Sequence, residues 1–286
     1  MLTSMHDYAA NAVQRFLKEY GKKLSVVISP YISSEDYGQL GEEPGRFSSS
    51  ASSHVATLLF LSRVVRPDIS VAVQRPCRVV TKWTTTHDAA LTRLYAYLES
   101  VGPIALHSEL SPDDLQDVQL VMWSDADWCG DSEDTKSTSG LLLELLTPFA
   151  GRRWPISWAV RRQGSTSSSI AEAETVALSH ATKHEGIPTL ILLDALLGGA
   201  RRPIELVAQV DNTQAISVVH KGYSKKFKFL ERTHKCLIGV IHELIQSCQL
   251  VVEYAPTLTH RGDGFTKCSL PSKFVEARKM MSMVKH

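Results

Sequence analysis

Two aspartates stand at the ends of apolar runs. Leu120-Val121-Met122-Trp123 leads through Ser124 to Asp125, and Leu206-Val207-Ala208-Gln209-Val210 leads to Asp211, followed by Asn212. A carboxylate at the end of a buried strand is costly to desolvate unless a cation, a salt bridge or a helix N-terminus compensates it. Two strands that each deliver an aspartate at the carboxyl end make a start on a divalent-cation site, because sites in open α/β sheets form there. A third acid, Glu174, lies in an apolar stripe. Ile170, Glu174, Ala177, Leu178 and Ala181 share one helical face, so Glu174 is expected to face the sheet. A satisfied core or capping carboxylate is the competing reading. Glu172 points elsewhere and reads as solvated.

These residues need elements to position them. Strands are expected over Gln119–Asp125, Thr138–Leu146, Trp154–Val160, Glu205–Asp211 and Leu250–Ala255. Helices are expected over Ile170–Leu197, interrupted at Pro188, and over Asn212–His220, Phe229–Gln246 and Gly262–Val284. That last helix would begin beside Asp263, a sensible N-terminal acid whatever the function. Asp127 and Asp131 read as hairpin residues that make turn hydrogen bonds. Upstream, helical stripes cover Tyr8–Tyr20, Ser53–Val65, Ile69–Cys77 and a segment from Thr86 or His87 through Leu98. A polar, Gly- and Ser-rich stretch before Ser53 reads as loop.

The strings SDADWCGD (124–131), KSTSG (136–140), SIAEAET (169–175), VDN (210–212) and GDGFTK (262–267) resemble the RNase H domain of copia-type retrotransposon polyproteins. LLFLSRVVRPDISVAVQ (58–74) and the helix around Leu91–Leu98 are similar to the segment that joins reverse transcriptase to RNase H in that family. The resemblance implies an α/β, RNase H-like mixed five-stranded sheet flanked by helices, with an N-terminal helical connection segment. The implied domains are a remnant of polymerase tail and loop at 1–52, the connection at 53–115 and the RNase H-like domain at 116–286. No YxDD-type motif occurs, so the polymerase is missing and the chain looks like the C-terminal piece of a longer polyprotein.

By resemblance Asp125, Glu174, Asp211 and Asp263 are the catalytic and metal-binding set, with Asp125 bridging two ions. Four crowded carboxylates repel unless cations neutralise them, and oxygen-only ligands select Mg²⁺ or Mn²⁺ over zinc. The implied reaction is hydrolysis of the RNA strand of an RNA–DNA hybrid, leaving a 3′ hydroxyl and a 5′ phosphate. A reverse transcriptase module of the same element is the implied protein partner. Five positions depart from the family pattern. Gly262 replaces the usual Ala, a change expected to leave the chemistry undisturbed. His260 replaces Gln and could shuttle a proton, against the alternative of an exposed loop histidine. The family's RTKH string is Arg232-Thr233-His234-Lys235 here, and Leu237 stands where an acid is usual. These departures keep open a second reading, a catalytically inert nucleic-acid-binding remnant.

Between residues 221 and 235, Lys221, Lys225, Lys226, Lys228, Arg232 and Lys235 face a single acid, Glu231, with Tyr223, Phe227 and Phe229 interleaved. Cations with aromatics suit a phosphate backbone and exposed bases, and a solvated basic loop is the alternative. The net charge of +1 gives no global attraction to nucleic acid, so local patches must supply it. Five cysteines without CxxC spacing disfavour a zinc cluster or disulfide framework and suit a reducing, intracellular setting in cytoplasm or nucleus. No apolar run is long enough for a membrane span and the N-terminus lacks a secretory core, so neither membrane association nor secretion is expected. Walker and Gly-x-Ser-x-Gly motifs are absent, and no small-molecule cofactor is expected.

Overall fold

The structure, a computed structural model, describes residues 1–32, 41, 43–130, 135–197, 204–267 and 271–285. The chain divides into two compact units, residues 1–107 with 268–286, and residues 108–267. Residues 1–52 and the C-terminal tail share the first unit with most of the expected connection segment.

The first unit is mainly helical, with helices His6–Tyr20, Ala51–Val64, Ser70–Arg78, Thr85–Val101 and Pro271–Met280. Val13, Phe16, Leu58, Leu61, Leu91, Leu94 and Phe274 meet in one core. Phe16 stacks on Tyr95 with ring centroids 4.3 Å apart. Arg66-Pro67-Asp68, expected only as a helix break, also holds a buried ion pair. Arg66 Nε donates to Asp68 at 2.8 Å, and the Tyr97 hydroxyl donates to the same carboxylate at 2.6 Å. Strands β1 (Leu2–Thr3), β2 (Ile104–His107) and β8 (Met283–Lys285) form a small antiparallel sheet that the sequence did not announce. Runs of two to four residues are too short to display a two-residue period.

The second unit holds β3 (Gln119–Asp127), β4 (Thr138–Leu146), β5 (Arg153–Arg162), β6 (Glu205–Val210) and β7 (Val251–Tyr254). Their order is β5-β4-β3-β6-β7. The first three are antiparallel neighbours, while β3, β6 and β7 run parallel. This is the mixed five-stranded sheet expected from the sequence, with β3 at its centre. Leu120, Met122, Leu141 and Leu143 pack on one face with Leu178 and Ala181 of the helix Ile170–Ala181. The register pairs Val121 with Glu144, Trp123 with Leu142, and Asp125 with Gly140. These pairs therefore share the opposite face.

Three expected helices are reshaped. Ile170–Leu197 becomes Ile170–Ala181, a π-helical turn Thr182–Gly186 and Ile187–Leu196. The wide turn precedes Pro188 and frees the carbonyl position its ring would strike. Phe229–Gln246 divides into Leu230–His234 and Ile238–Gln246. Lys235 is left-handed (φ 56°) and donates its N–H to Glu231 O at 3.1 Å, an αL closure, while Cys236 N donates to Leu230 O at 3.3 Å. Leu230 and Cys236 are both buried against Ala171 and Val176. Six positions apart, they would face different directions on an unbroken helix. Gly262–Val284 is not one helix either. It is a 3₁₀ turn Arg261–Phe265, then the helix Pro271–Met280, then β8. Gly262 and Gly264 weaken helix propagation, and Pro271 suits a fresh first turn.

Candidate metal centre

Strand β3 carries Asp125 to 1% exposure at the centre of the sheet. Asp211 follows the end of β6, the parallel neighbour, and the Thr257 hydroxyl donates to it at 2.8 Å. Asn212 beside it is a helix cap, its side chain accepting from the backbone N–H groups of Gln214 and Ala215 at 3.0 Å each. Glu174, 3% exposed, points from its helix to the strand end, where Ala126 N donates to Oε1 at 3.2 Å. Carboxylate oxygens of Asp125, Glu174 and Asp211 lie within 4.8 Å of one another. Ligand atoms of Asp125, His260 and Asp263 do the same. The four acids named from sequence therefore converge on one small volume, with Asp125 common to both groups.

Asp263 reaches this volume from the 3₁₀ turn rather than from a long helix, and its closeness to Asp125 owes much to Gly140. A Cβ at Gly140 would come within 2.8 Å of the Phe265 carbonyl carbon and 2.6 Å of Thr266 Cγ2. The glycine lets the 261–266 backbone lie directly on β4. Thr266 donates its hydroxyl to Asp125, and Lys267 Nζ lies 2.8 Å from Asp263 and 3.5 Å from Asp125. Thr266 and Lys267 belong to the Gly262–Lys267 string, which gave them no separate role. Their signal was their place three and four residues after an acid, the reach of one helical turn.

The electrostatics are those of crowded, partly dehydrated acids. Burial raises the Glu174 pKa to about 10, and the neighbouring Asp125 and Asp211 add to the rise. Burial and Asp125 push Asp263 up, while Lys267 and His260 pull it down. Asp127, the last residue of β3, is raised by burial, with Asp125 and Asp263 adding to the effect. Its carboxylate occupies the space that a Cβ at Gly130 would need. Asp131 lies outside the described residues. Asp125 Oδ1 and Glu174 Oε2 are buried without a hydrogen-bond partner. Two orphaned oxygens in an all-carboxylate set fit a hard divalent cation.

Glu174 makes stability depend on pH in a definite direction. It loses its proton near 4.5 when unfolded and near 10 when folded, so the folded chain holds the extra proton between those values. Stability in EDTA should therefore fall as pH rises through that window. Glu174→Gln should flatten the fall, read as roughly 2–4 °C in Tm per kcal/mol recovered. Equal slopes for the two proteins would show that Glu174 is already ionised.

His260 is not an exposed loop residue. It is fully buried, its ring edge-on to Trp123 at 5.6 Å, and Nε2 donates to Gln209 O at 3.0 Å. Its ring also explains Gly262, because a Cβ there would sit 2.7 Å from His260 Cε1 and 3.3 Å from Asp125 Cβ. The two departures from the family pattern are thus coupled by space. Gly262→Ala should cost about 1–3 kcal/mol as overpacking, and His260→Gln in the same chain should recover most of it. Urea melts of the single and double variants check this, and additive losses would refute the coupling.

Glu172 is buried rather than solvated. Its N–H donates to the capping Ser169 hydroxyl at 3.2 Å and its carboxylate accepts from Ser168, a capping arrangement. His234, with its side chain 1% exposed, lies 3.9 Å from Glu172. The six cations at 221–235 are all exposed. Tyr223 and Phe229 are 61% and 57% exposed, but Phe227 is core, so two aromatics rather than three face outward. Lys228 Nζ lies 4.8 Å above the Phe229 ring. A cleft of about 670 Å³ runs along this segment, lined by Tyr223, Lys225, Phe227, Lys228 and Leu237 among others. Sequence reasoning also missed Glu144, which is fully buried. It accepts from Trp123 Nε1 at 2.8 Å and Arg153 Nη1 at 2.7 Å, and pairs with Arg261 Nη1 at 3.4 Å.

Over 131 residues the chain is 34% identical to Secreted RxLR effector protein 161 of Plasmopara viticola, a match covering 46% of this chain and 85% of that protein. Over 120 residues it is 33% and 32% identical to the retrovirus-related Pol polyproteins from transposons RE1 and RE2 of Arabidopsis thaliana. Those matches cover 42% of this chain but span only 7% and 8% of the two polyproteins. Among solved structures, LC11-RNase H1 from compost matches 52% of this chain and 92% of its own, with 16% identity and a TM-score of 0.34. RNase H1 of Halobacterium salinarum NRC-1 matches 55% and 98%, with 12% identity and a TM-score of 0.33. No family model matches the chain.

Proposed function

The chain belongs to the family of its Plasmopara viticola relative, to which the retrovirus-related transposon Pol polyproteins are also homologous, and from that premise we propose that residues 108–267 act as a divalent-metal-dependent RNase H-type endonuclease. The substrate is the RNA strand of an RNA–DNA hybrid, with a reverse transcriptase module of the same element as the natural partner. The observation that carries this reading is the convergence of Asp125, Glu174 and Asp211 within 4.8 Å, with two buried carboxylate oxygens left without hydrogen-bond donors. With Asp263 these acids would hold two Mg²⁺ ions, or Mn²⁺ in their place. Such a pair supplies an activated water and stabilises the leaving 3′ oxygen.

The chain's own groups do the rest. The Ala126 N–H fixes Glu174, and the Thr266 hydroxyl fixes Asp125. Lys267 offsets negative charge on the Asp125–Asp263 side. His260 donates Nε2–H to the Gln209 carbonyl, which leaves Nδ1 buried and without a hydrogen-bond partner, the nitrogen proposed to shuttle a proton. The exposed cations at 221–235 would hold the backbone. The test is Mg²⁺-dependent cleavage of an end-labelled hybrid by the purified chain. Cleavage of the RNA strand alone, with 5′ phosphate products, is expected, and an intact hybrid across Mg²⁺ and Mn²⁺ would overturn the reading in favour of an inert remnant.

A further inference from the structure

A separate cavity of about 320 Å³ opens where the paired ends of β4 and β5 meet the helix Ile170–Ala181, its π-helical continuation and the turn at Thr233–Cys236. Its charged lining has one sign. Arg161 and Arg162 come from β5, His180, Lys183 and His184 from the helix, and His234 and Lys235 from the turn, and among the described residues no carboxylate lines it. Four of these seven, Arg161, Arg162, Lys183 and Lys235, carry a permanent charge at neutral pH. The cavity is also built, not merely a spread of surface lysines. Arg161 Nη1 donates to His180 Nε2, and the His180 and His184 rings lie 4.2 Å apart. Accepting from a guanidinium requires neutral His180, and burial, aided by Arg161 and His184, holds its pKa down to about 4. Of the nearby acids, Glu172 lies 3.9 Å from His234 at one edge of the cavity, and Glu185 accepts from Ser157 at 2.9 Å.

Like charges gathered in a half-enclosed space repel each other, and an anion relieves that repulsion. The strand register says which anion. Arg161 pairs with Ser139, and Ser139 with Ala126, the residue after Asp125. Two strand spacings, about 10 Å, therefore separate the Arg161 and Ala126 backbones. One bound duplex can reach both places. We propose that this cavity binds a backbone phosphate of the nucleic acid whose RNA strand is cut at the carboxylates. The inference rests on the nuclease reading and extends it to a second, purely electrostatic contact away from the reacting bond.

The test measures binding of a fluorescent RNA–DNA hybrid by anisotropy, with Ca²⁺ in place of Mg²⁺, across a salt series. The double variant Arg161→Gln/Lys183→Gln should bind about tenfold more weakly at low salt, with the slope of log K against log salt reduced by about 0.9 for each phosphate no longer neutralised. Arg161→Lys/Lys183→Arg should retain most of the affinity, and unchanged melting temperatures would exclude a folding defect. Two further hybrids, with neutral methylphosphonates in the DNA strand or in the RNA strand, assign the source. The strand whose neutralisation erases the difference between wild type and variant is the one held. If affinity and slope are unchanged in the Gln variant, or neither neutral strand erases the difference, the cavity is a solvated basic surface and the proposal is overturned while the nuclease reading stands. A wild-type chain that binds no hybrid overturns both, and that result is visible in the wild-type titration itself.

Discussion

Asp125→Asn should abolish Mg²⁺-dependent cleavage of an RNA–DNA hybrid, by about a thousandfold or more, while fold and hybrid binding persist. A thousandfold corresponds to about 4 kcal/mol of barrier, a loss on the scale expected when the ligand shared by both ends of the cluster is removed. In the proposed site Asp125 would be that ligand, because its oxygens lie within 4.8 Å of candidate ligand atoms of Glu174 and Asp211 in one group and of His260 and Asp263 in the other. The substitution is gentle on the fold. An Asn Oδ1 can still accept from the Thr266 hydroxyl, and one negative charge leaves a crowded volume. The variant should therefore be at least as stable as wild type in EDTA, since it relieves like-charge repulsion. The measurements are single-turnover cleavage of a labelled hybrid, anisotropy for binding and a thermal melt. Cleavage that survives Asp125→Asn in a well-folded, hybrid-binding protein would place the chemistry elsewhere.

The acids that form this cluster were legible because each carries a local signature. Asp125 and Asp211 end apolar runs, and Glu174 interrupts an apolar helical stripe. Asp263 was found through its motif, even though the helix expected to begin there is a 3₁₀ turn. The resemblance singled out Asp263, while two glycines and Pro271 decided the backbone there. What stayed hidden depends on contacts between residues far apart in sequence. Glu144 looks like an ordinary polar interruption of a strand until the register places it opposite Val121, under Arg153 and Arg261. His260 reads as a loop histidine until the Gln209 carbonyl and the Trp123 ring enclose it. The basic cavity draws Arg161, Lys183 and Lys235 from three elements, so no window of sequence displays it. The basic run at 221–235 was visible for the opposite reason, being contiguous, though the burial of Phe227 was not.

Glu144→Ala should be the most damaging single change in the second unit outside the apolar core, costing about 3–5 kcal/mol. Its carboxylate is fully buried and takes the Trp123 indole N–H, the Arg153 guanidinium and the Arg261 guanidinium together. Removing the acid leaves Arg261, 7% exposed, without its carboxylate, and burial already lowers the Arg261 pKa to about 10 against the pull of Glu144. The opposite change is milder. Arg261→Met keeps the aliphatic stem's volume, and Glu144 retains Arg153 and Trp123, so about half the loss is expected. In the pair Glu144→Leu/Arg261→Met both charges leave together, and stability should return to within about 1–2 kcal/mol of wild type, as for other buried pairs replaced by apolar residues. Urea denaturation of the three variants measures this order. The site should register it too, because Arg261 is the residue between His260 and Gly262 and precedes Asp263 by two. Loss of its anchor should loosen the turn that carries Asp263, so Glu144→Ala should weaken Mg²⁺ binding, read by calorimetry, as well as stability. A Glu144→Ala protein no less stable than Arg261→Met would mean that the Glu144–Arg261 pair does not hold the turn.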